Sequence, residues 1–144
     1  MVHPRITGFL ARAVSHEAGT VQQLMTQARL TELWGWDAFS RPLRDGMHRA
    51  LERMERLVSR MLYHGVTPNA TQLTPARVGR SREEILEINR QSAQAAVRLY
   101  EEAALFCARQ RAPEDEALFR ALLDEHVAWL QQIESDMGAV KSGG

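Results

Sequence analysis

Two polar side chains fall where the periodicity of the chain asks for apolar ones, and each could do chemistry. Glu17 lies one heptad after Leu10 and one before Leu24, on the apolar stripe of an N-terminal helical pattern. A carboxylate in that place must be paired, protonated or metal-bound, because an unpaired buried charge is strongly destabilising. His126 holds the matching kind of position in the C-terminal pattern, between Leu122 and Trp129. A lone core histidine is either a structural residue with satisfied hydrogen bonds or a metal ligand. The remaining candidates are weaker. His48 and Glu52 are one helical turn apart and read as a solvated pair or a surface metal site. Met47, Met54 and Met61 recur every seven residues, a pattern of core filler or of soft-metal ligation. Arg49, Arg53, Arg56 and Arg60 form a basic stripe interleaved with Glu52 and Glu55, read as intrahelical ion pairing or as a docking surface for an acidic partner. Cys107 reads as a small buried hydrophobe. The sequence holds no Gly-rich phosphate loop, no nucleophile beside a base and no zinc-ligand spacing.

These residues need a scaffold, and composition bounds it. The 144 residues carry 18 Lys+Arg, 18 Asp+Glu and a single cysteine. A chain of this length makes one domain, burying roughly two thirds of the surface its unfolded form exposes, without disulfide or metal staples. The lone cysteine fits a reducing compartment. No apolar run approaches a membrane span, and the N-terminus lacks the apolar block of a signal peptide, so a cytoplasmic protein is expected. Zero net charge argues against nucleic acid. It hides a split, with residues 1–82 holding 12 basic and 6 acidic groups and residues 83–144 the reverse.

The hydropathy pattern predicts four helices. Helix A spans Ile6 to about Trp34 through Leu10, Ala13, Val14, Val21, Leu24 and Ala28, with Gln and Thr on the opposite face. Asp37 to Pro42 makes a short connection, and helix B runs from Pro42 to about His64. Its seam is Met47, Ala50, Met54, Leu57 and Met61. Residues 65–80 have no period and read as a crossover. Ser81 and Glu84 form a capping box for helix C, which continues to about Arg109. Pro113 and three acidic residues start helix D, with the stripe Phe119, Leu122, His126, Trp129 and Ile133. Residues 139–144 read as a flexible tail. The short A–B and C–D connections imply antiparallel hairpins. The long B–C connection can stretch ~50 Å, enough to leave B and C parallel, as in ferritin-like bundles.

On that scaffold the chain resembles the bacterioferritin family over nearly its whole length. The matching segments are Glu17 followed by Gln23, Ala28-Arg29-Leu30 and Trp34-Gly35; Arg60-Met61-Leu62 before Pro68-Asn69; Val78-Gly79 before helix C; and Glu125-His126-Val127-Ala128-Trp129-Leu130. The resemblance implies an all-α ferritin-like four-helix bundle over residues 1–138. It also implies a di-iron centre, with one Glu from each of two helices and a Glu-x-x-His from each of the other two. Glu17 and His126 match two of these positions. The others fall on Ala50, Arg53, Ala93 and Leu123, and no Glu-x-x-His occurs in the chain.

No ferroxidase activity by the family mechanism is therefore expected, and no cofactor, with iron or haem held at Glu17 and His126 or at Met47 and Met54 as the alternative. Arg53, where the resemblance places an imidazole, either neutralises Glu17 in place of a metal or extends to solvent. The haem-ligating Met of the family falls on Leu51. The family's further short helix has no counterpart after helix D, which argues against a 24-subunit shell, while a dimer through the A–B face survives. Two functions follow. One is a non-catalytic subunit with an assembly or binding role linked to iron homeostasis, as a homodimer, a larger homo-oligomer or a mixed oligomer with a catalytic relative. The other is a metal-binding or iron-oxidising protein with a rebuilt site.

Overall fold

Each of the four apolar stripes is a helix in the structure, a computed structural model that describes residues 1–69 and 74–143. They are α1 (Pro4–Leu33), α2 (Asp37–Tyr63), α3 (Arg82–Arg109) and α4 (Pro113–Gly143), and the described residues include no strand. The fold class is all-α. No described helix is long and apolar enough to cross a membrane. Residues 70–73 of the expected crossover lie outside the described residues, and its described remainder carries neither helix nor strand.

Local chemistry sets the helix ends. Pro4 and Pro113 stand at first helical positions, where a missing N–H costs nothing. At the start of α3 the Glu84 N–H donates to Ser81 Oγ at 3.1 Å, and Glu84 Oε2 reaches back to accept from the Arg80 N–H at 3.2 Å. Three helices stop by one device, in which the residue two beyond the cap bonds back to a carbonyl five residues earlier. Trp36 N–H donates to Thr31 O, Val66 N–H to Met61 O and Ala112 N–H to Cys107 O, each at 2.9 Å. The motif needs a left-handed residue just before that donor. Gly35 and Gly65 supply it with φ of 80° and 77°, and Arg111 supplies it with φ of 53°.

Four expectations are corrected. The connection expected over Asp37 to Pro42 is the first turn and a half of α2. The N–H groups of Phe39 and Ser40 bond to Trp36 O, and Ser40 Oγ donates to Asp37 O at 3.0 Å, so the helix is closed before Pro42 removes a donor. The tail expected over 139–144 is helical through Gly143, while Gly144 lies outside the described residues. Gly138 costs a helix about 1 kcal/mol relative to Ala, which does not stop it, and Ala139, Val140 and Lys141 carry it on. On α1, Thr20, Gln27 and Thr31 are buried rather than on the outer face. Thr20 Oγ1 donates to His16 O at 3.1 Å and Thr31 Oγ1 to Gln27 O at 2.8 Å, so the helix satisfies these hydroxyls itself. On α2 the buried stripe is Leu43, Gly46, Ala50, Arg53, Leu57 and Met61. Met47 and Met54, expected in the seam, are half-buried. The helix is turned so that Arg53 points inward.

The described chain divides into two compact units, Leu10–Val78 in one and Met1–Phe9 with Gly79–Gly144 in the other. In the first, most of α1 and all of α2 form a hairpin around Leu10, Ala13, Leu24, Ala28, Leu43, Ala50, Leu57 and Met61. A Cβ on Gly46 would stand 3.2 Å from Leu24 Cδ1, so the glycine lets the two helices approach. An Arg44 to Glu32 ion pair closes the hairpin near its turn. In the second unit α3 and α4 pack along one another. Phe9, Tyr100, Phe106 and Phe119 form a connected aromatic cluster there, and the Arg5 guanidinium lies 4.4 Å from the Phe106 ring centroid.

Candidate functional site

The α1–α2 hairpin brings two of the singled-out residues together. Glu17 is fully buried on the inner stripe of α1, and Arg53, on the inner stripe of α2, is 4% exposed. Arg53 Nε donates to Glu17 Oε1 at 3.0 Å. Extension of Arg53 to solvent is thus excluded, and the guanidinium is an internal group. The sequence explains the geometry. Glu17 follows Leu10 and Ala13 on one face, and Arg53 lies between Ala50 and Leu57 on another, all of them buried. Burying the two groups together is acceptable because the charge-assisted hydrogen bond replaces water for both.

His126 belongs to the α3–α4 unit. Fully buried, its ring stacks on Tyr100 with centroids 5.4 Å apart and 27° between planes, and Trp129 lies 5.9 Å away. The imidazole is a packed aromatic surface as well as a polar group. Among the other positions of interest, Ala50 and Ala93 are fully buried and Leu123 is half-buried. His48 and Glu52 are both exposed, and Glu52 pairs with Arg56 at 3.8 Å. The Arg60 guanidinium lies 4.3 Å from the Tyr63 ring centroid, so the basic stripe is partly held by its own helix. Cys107 is buried, and burial pushes its thiol up to about 11, with Asp115 and Glu116 adding to the shift. That thiol is inert at neutral pH.

A family model described as a ferritin-like domain matches residues 8–138. The chain belongs to the ferritin-like family. Bacterioferritin of Rhodobacter capsulatus is 26% identical over 133 residues, covering 92% of this chain and 83% of that one. Bacterioferritin of Brucella melitensis biotype 1 is 23% identical over 134 residues, with 93% and 83% covered. Among solved structures, the R. capsulatus bacterioferritin with a metal-free dinuclear site, and haem iron in a crystallographic special position, superposes with a TM-score of 0.96. That match has 23% identity and covers 99% of this chain and 89% of that one. The four helices therefore form the ferritin-like four-helix bundle.

Within this ferritin-like bundle the donor set can be tested against a di-iron centre. Such a centre needs bridging carboxylates and terminal imidazoles. Four of the six positions that the resemblance assigns to it hold Ala50, Arg53, Ala93 and Leu123. Among the described residues no three His, Cys, Asp or Glu side chains come together so as to hold a metal ion. The Glu17 carboxylate that remains is already engaged by a cation of the chain's own. The residues present do not fit the group. The position where the resemblance places the haem-ligating Met is Leu51, which has no sulfur, with Met47 and Met54 one turn either side.

Some residues of the ferritin-like core were not legible in advance. Tyr100, the ring against His126, sits one turn after Ala96 and could have been found by extending that stripe. Gln27, fully buried, donates from Nε2 to Arg77 O at 3.3 Å and so ties the segment before α3 to α1. Its spacing from Leu24 and Thr31 places it on the inner face, but its residue type argues for the outer one.

Proposed function

We propose that this chain is a bacterioferritin-like, non-catalytic subunit with an assembly or binding role linked to iron homeostasis. The observation that carries the reading is the Arg53 to Glu17 bond. The carboxylate best placed to hold metal is occupied by an internal guanidinium, and three other expected donor positions are aliphatic. The chain then keeps the scaffold of its family without the cation chemistry. Its assembly is a homodimer, a larger homo-oligomer, or a mixed oligomer with a catalytic relative. The apolar outer stripe of α2, with Leu51 44% and Leu62 55% exposed, supports a partner against that helix. The single cysteine, held as a thiol, supports a cytoplasmic setting.

The test is metal analysis of protein purified from iron-supplemented cells, together with an iron(II) oxidation assay in air. Iron well below one per chain is expected, with oxidation no faster than in buffer. Tightly bound iron at one or two per chain, or accelerated oxidation, would instead establish the second reading, a rebuilt metal site that uses the retained Glu17 and His126. Expression with added haem is expected to give no Soret band. Native mass of the chain alone and co-expressed with a catalytic bacterioferritin decides between self-assembly and mixed assembly.

A further inference from the structure

The buried ion pair has the chemistry of a cation site whose cation is attached to the chain. Glu17 has no exposed surface, the Arg53 side chain retains 5%, and Nε lies 3.0 Å from Oε1. Along their own helices Glu17 is preceded by the buried Ala13 and Arg53 is flanked by the buried Ala50 and Leu57. A carboxylate so placed requires a positive partner, and the partner present is planar, permanently charged and able to present several donors along one edge. Removing the side chain beyond Cβ takes away the atoms of an ethylguanidinium ion and leaves Glu17 and a space of that shape.

We propose that the α1–α2 core is a guanidinium-class cation site filled by Arg53, and that an Arg53→Ala chain binds free ethylguanidinium in its place. The inference rests on the reading of the chain as metal-independent and deepens it, because the same tethered cation would make folding independent of metal supply. It predicts ligand specificity that a merely space-filling arginine would not produce. The site selects a planar cation over its neutral isostere, and the selection depends on Glu17.

The experiment compares thermal unfolding of the full chain, of Arg53→Ala and of Glu17→Gln/Arg53→Ala, each with millimolar ethylguanidinium or its uncharged analogue ethylurea. Arg53→Ala should melt lower than the unaltered chain. Ethylguanidinium at ten times its dissociation constant should raise that midpoint by ~4 °C, while ethylurea does not. Neither compound should move the unaltered chain or the double variant. Equal responses to the two compounds, no response, or the same rise in the double variant would overturn the proposal. Should Arg53→Ala not fold, refolding is followed by its helical signal. Recovery in ethylguanidinium alone supports the site, and failure in both compounds overturns it. Manganese or zinc is added separately to the unaltered chain. A rise there would refute the metal-independent reading, whereas absence of rescue in Arg53→Ala would refute only the tethered-cation site.

Discussion

A carboxylate and a guanidinium removed from water together are tolerable, whereas either one alone is not. Glu17→Gln leaves Arg53 charged in the core without its anion, so it should cost about 3–5 kcal/mol of stability. Replacing both residues with hydrophobes, as in Glu17→Leu/Arg53→Met, removes both desolvation costs and should leave stability within about 1 kcal/mol of the unaltered chain or above it. Urea denaturation of the three proteins checks this, and a Glu17→Gln chain as stable as the original would refute it. Cys107 makes a second prediction at this scale. Its thiol is raised from 9.0 to about 11, so the folded chain holds the proton more tightly than the unfolded one. That contribution is intact below about pH 9 and is lost as pH rises towards 11, by about 2–3 kcal/mol at the upper end. The stability difference between the unaltered chain and Cys107→Ala should therefore shift against the unaltered chain between pH 8 and pH 10.5. A difference that does not change with pH would show that the thiol is not held protonated by the fold.

Helix ends show which structural choices are written locally. The Ser81 cap was legible because a hydroxyl and a glutamate three residues apart satisfy neighbouring backbone donors with no help from the rest of the molecule. Ser81→Ala should lower stability by about 1 kcal/mol. Gly35 and Gly65 were legible for the same reason. Arg111 was not, because its positive φ is imposed by the three-residue connection from α3 to Pro113 rather than favoured by its own side chain. An arginine in that conformation is strained by the clash of Cβ with the following carbonyl. Arg111→Gly should therefore stabilise the chain by up to about 1 kcal/mol, measured by chemical denaturation. An unchanged or lower stability would mean that the arginine side chain contributes more than the strain removes. The phase of α2 was hidden for a different reason. A periodicity reading counts Arg53 as polar and turns it outward, while the structure turns it inward because an anion waits on α1. Thr20, Thr31 and Gln27 were misplaced in the same way, since residue type says nothing about a hydrogen bond formed within the core.

At the scale of the whole molecule, four stripes and two short connections were enough to indicate the bundle, because helix period and connection length are properties of the chain. The contact between Glu17 and Arg53 is a property of the fold, and the sequence could only present it beside an equal alternative. What the bundle leaves outward is also informative. Leu51, Leu62 and the half-buried Met47, Met54 and Val58 follow one another at helical spacing along α2, an apolar stripe that water solvates poorly. Leu51 within it is apolar where the family resemblance places a sulfur ligand, so a partner helix could pack against it directly without a prosthetic group between. A stable contact of that kind needs about 800 Å² from each partner, and the exposed length of α2 can contribute to it. The expected native mass is at least that of two chains. Leu51→Glu should raise the dissociation constant at least tenfold, since a charge would be buried in an apolar contact, while the helical signal and the Glu17 to Arg53 pair stay intact. Sedimentation over a range of concentrations reads both quantities. A monomer at every concentration, or a Leu51→Glu chain that associates as tightly as the original, would show that the outer stripe of α2 is not the assembly surface.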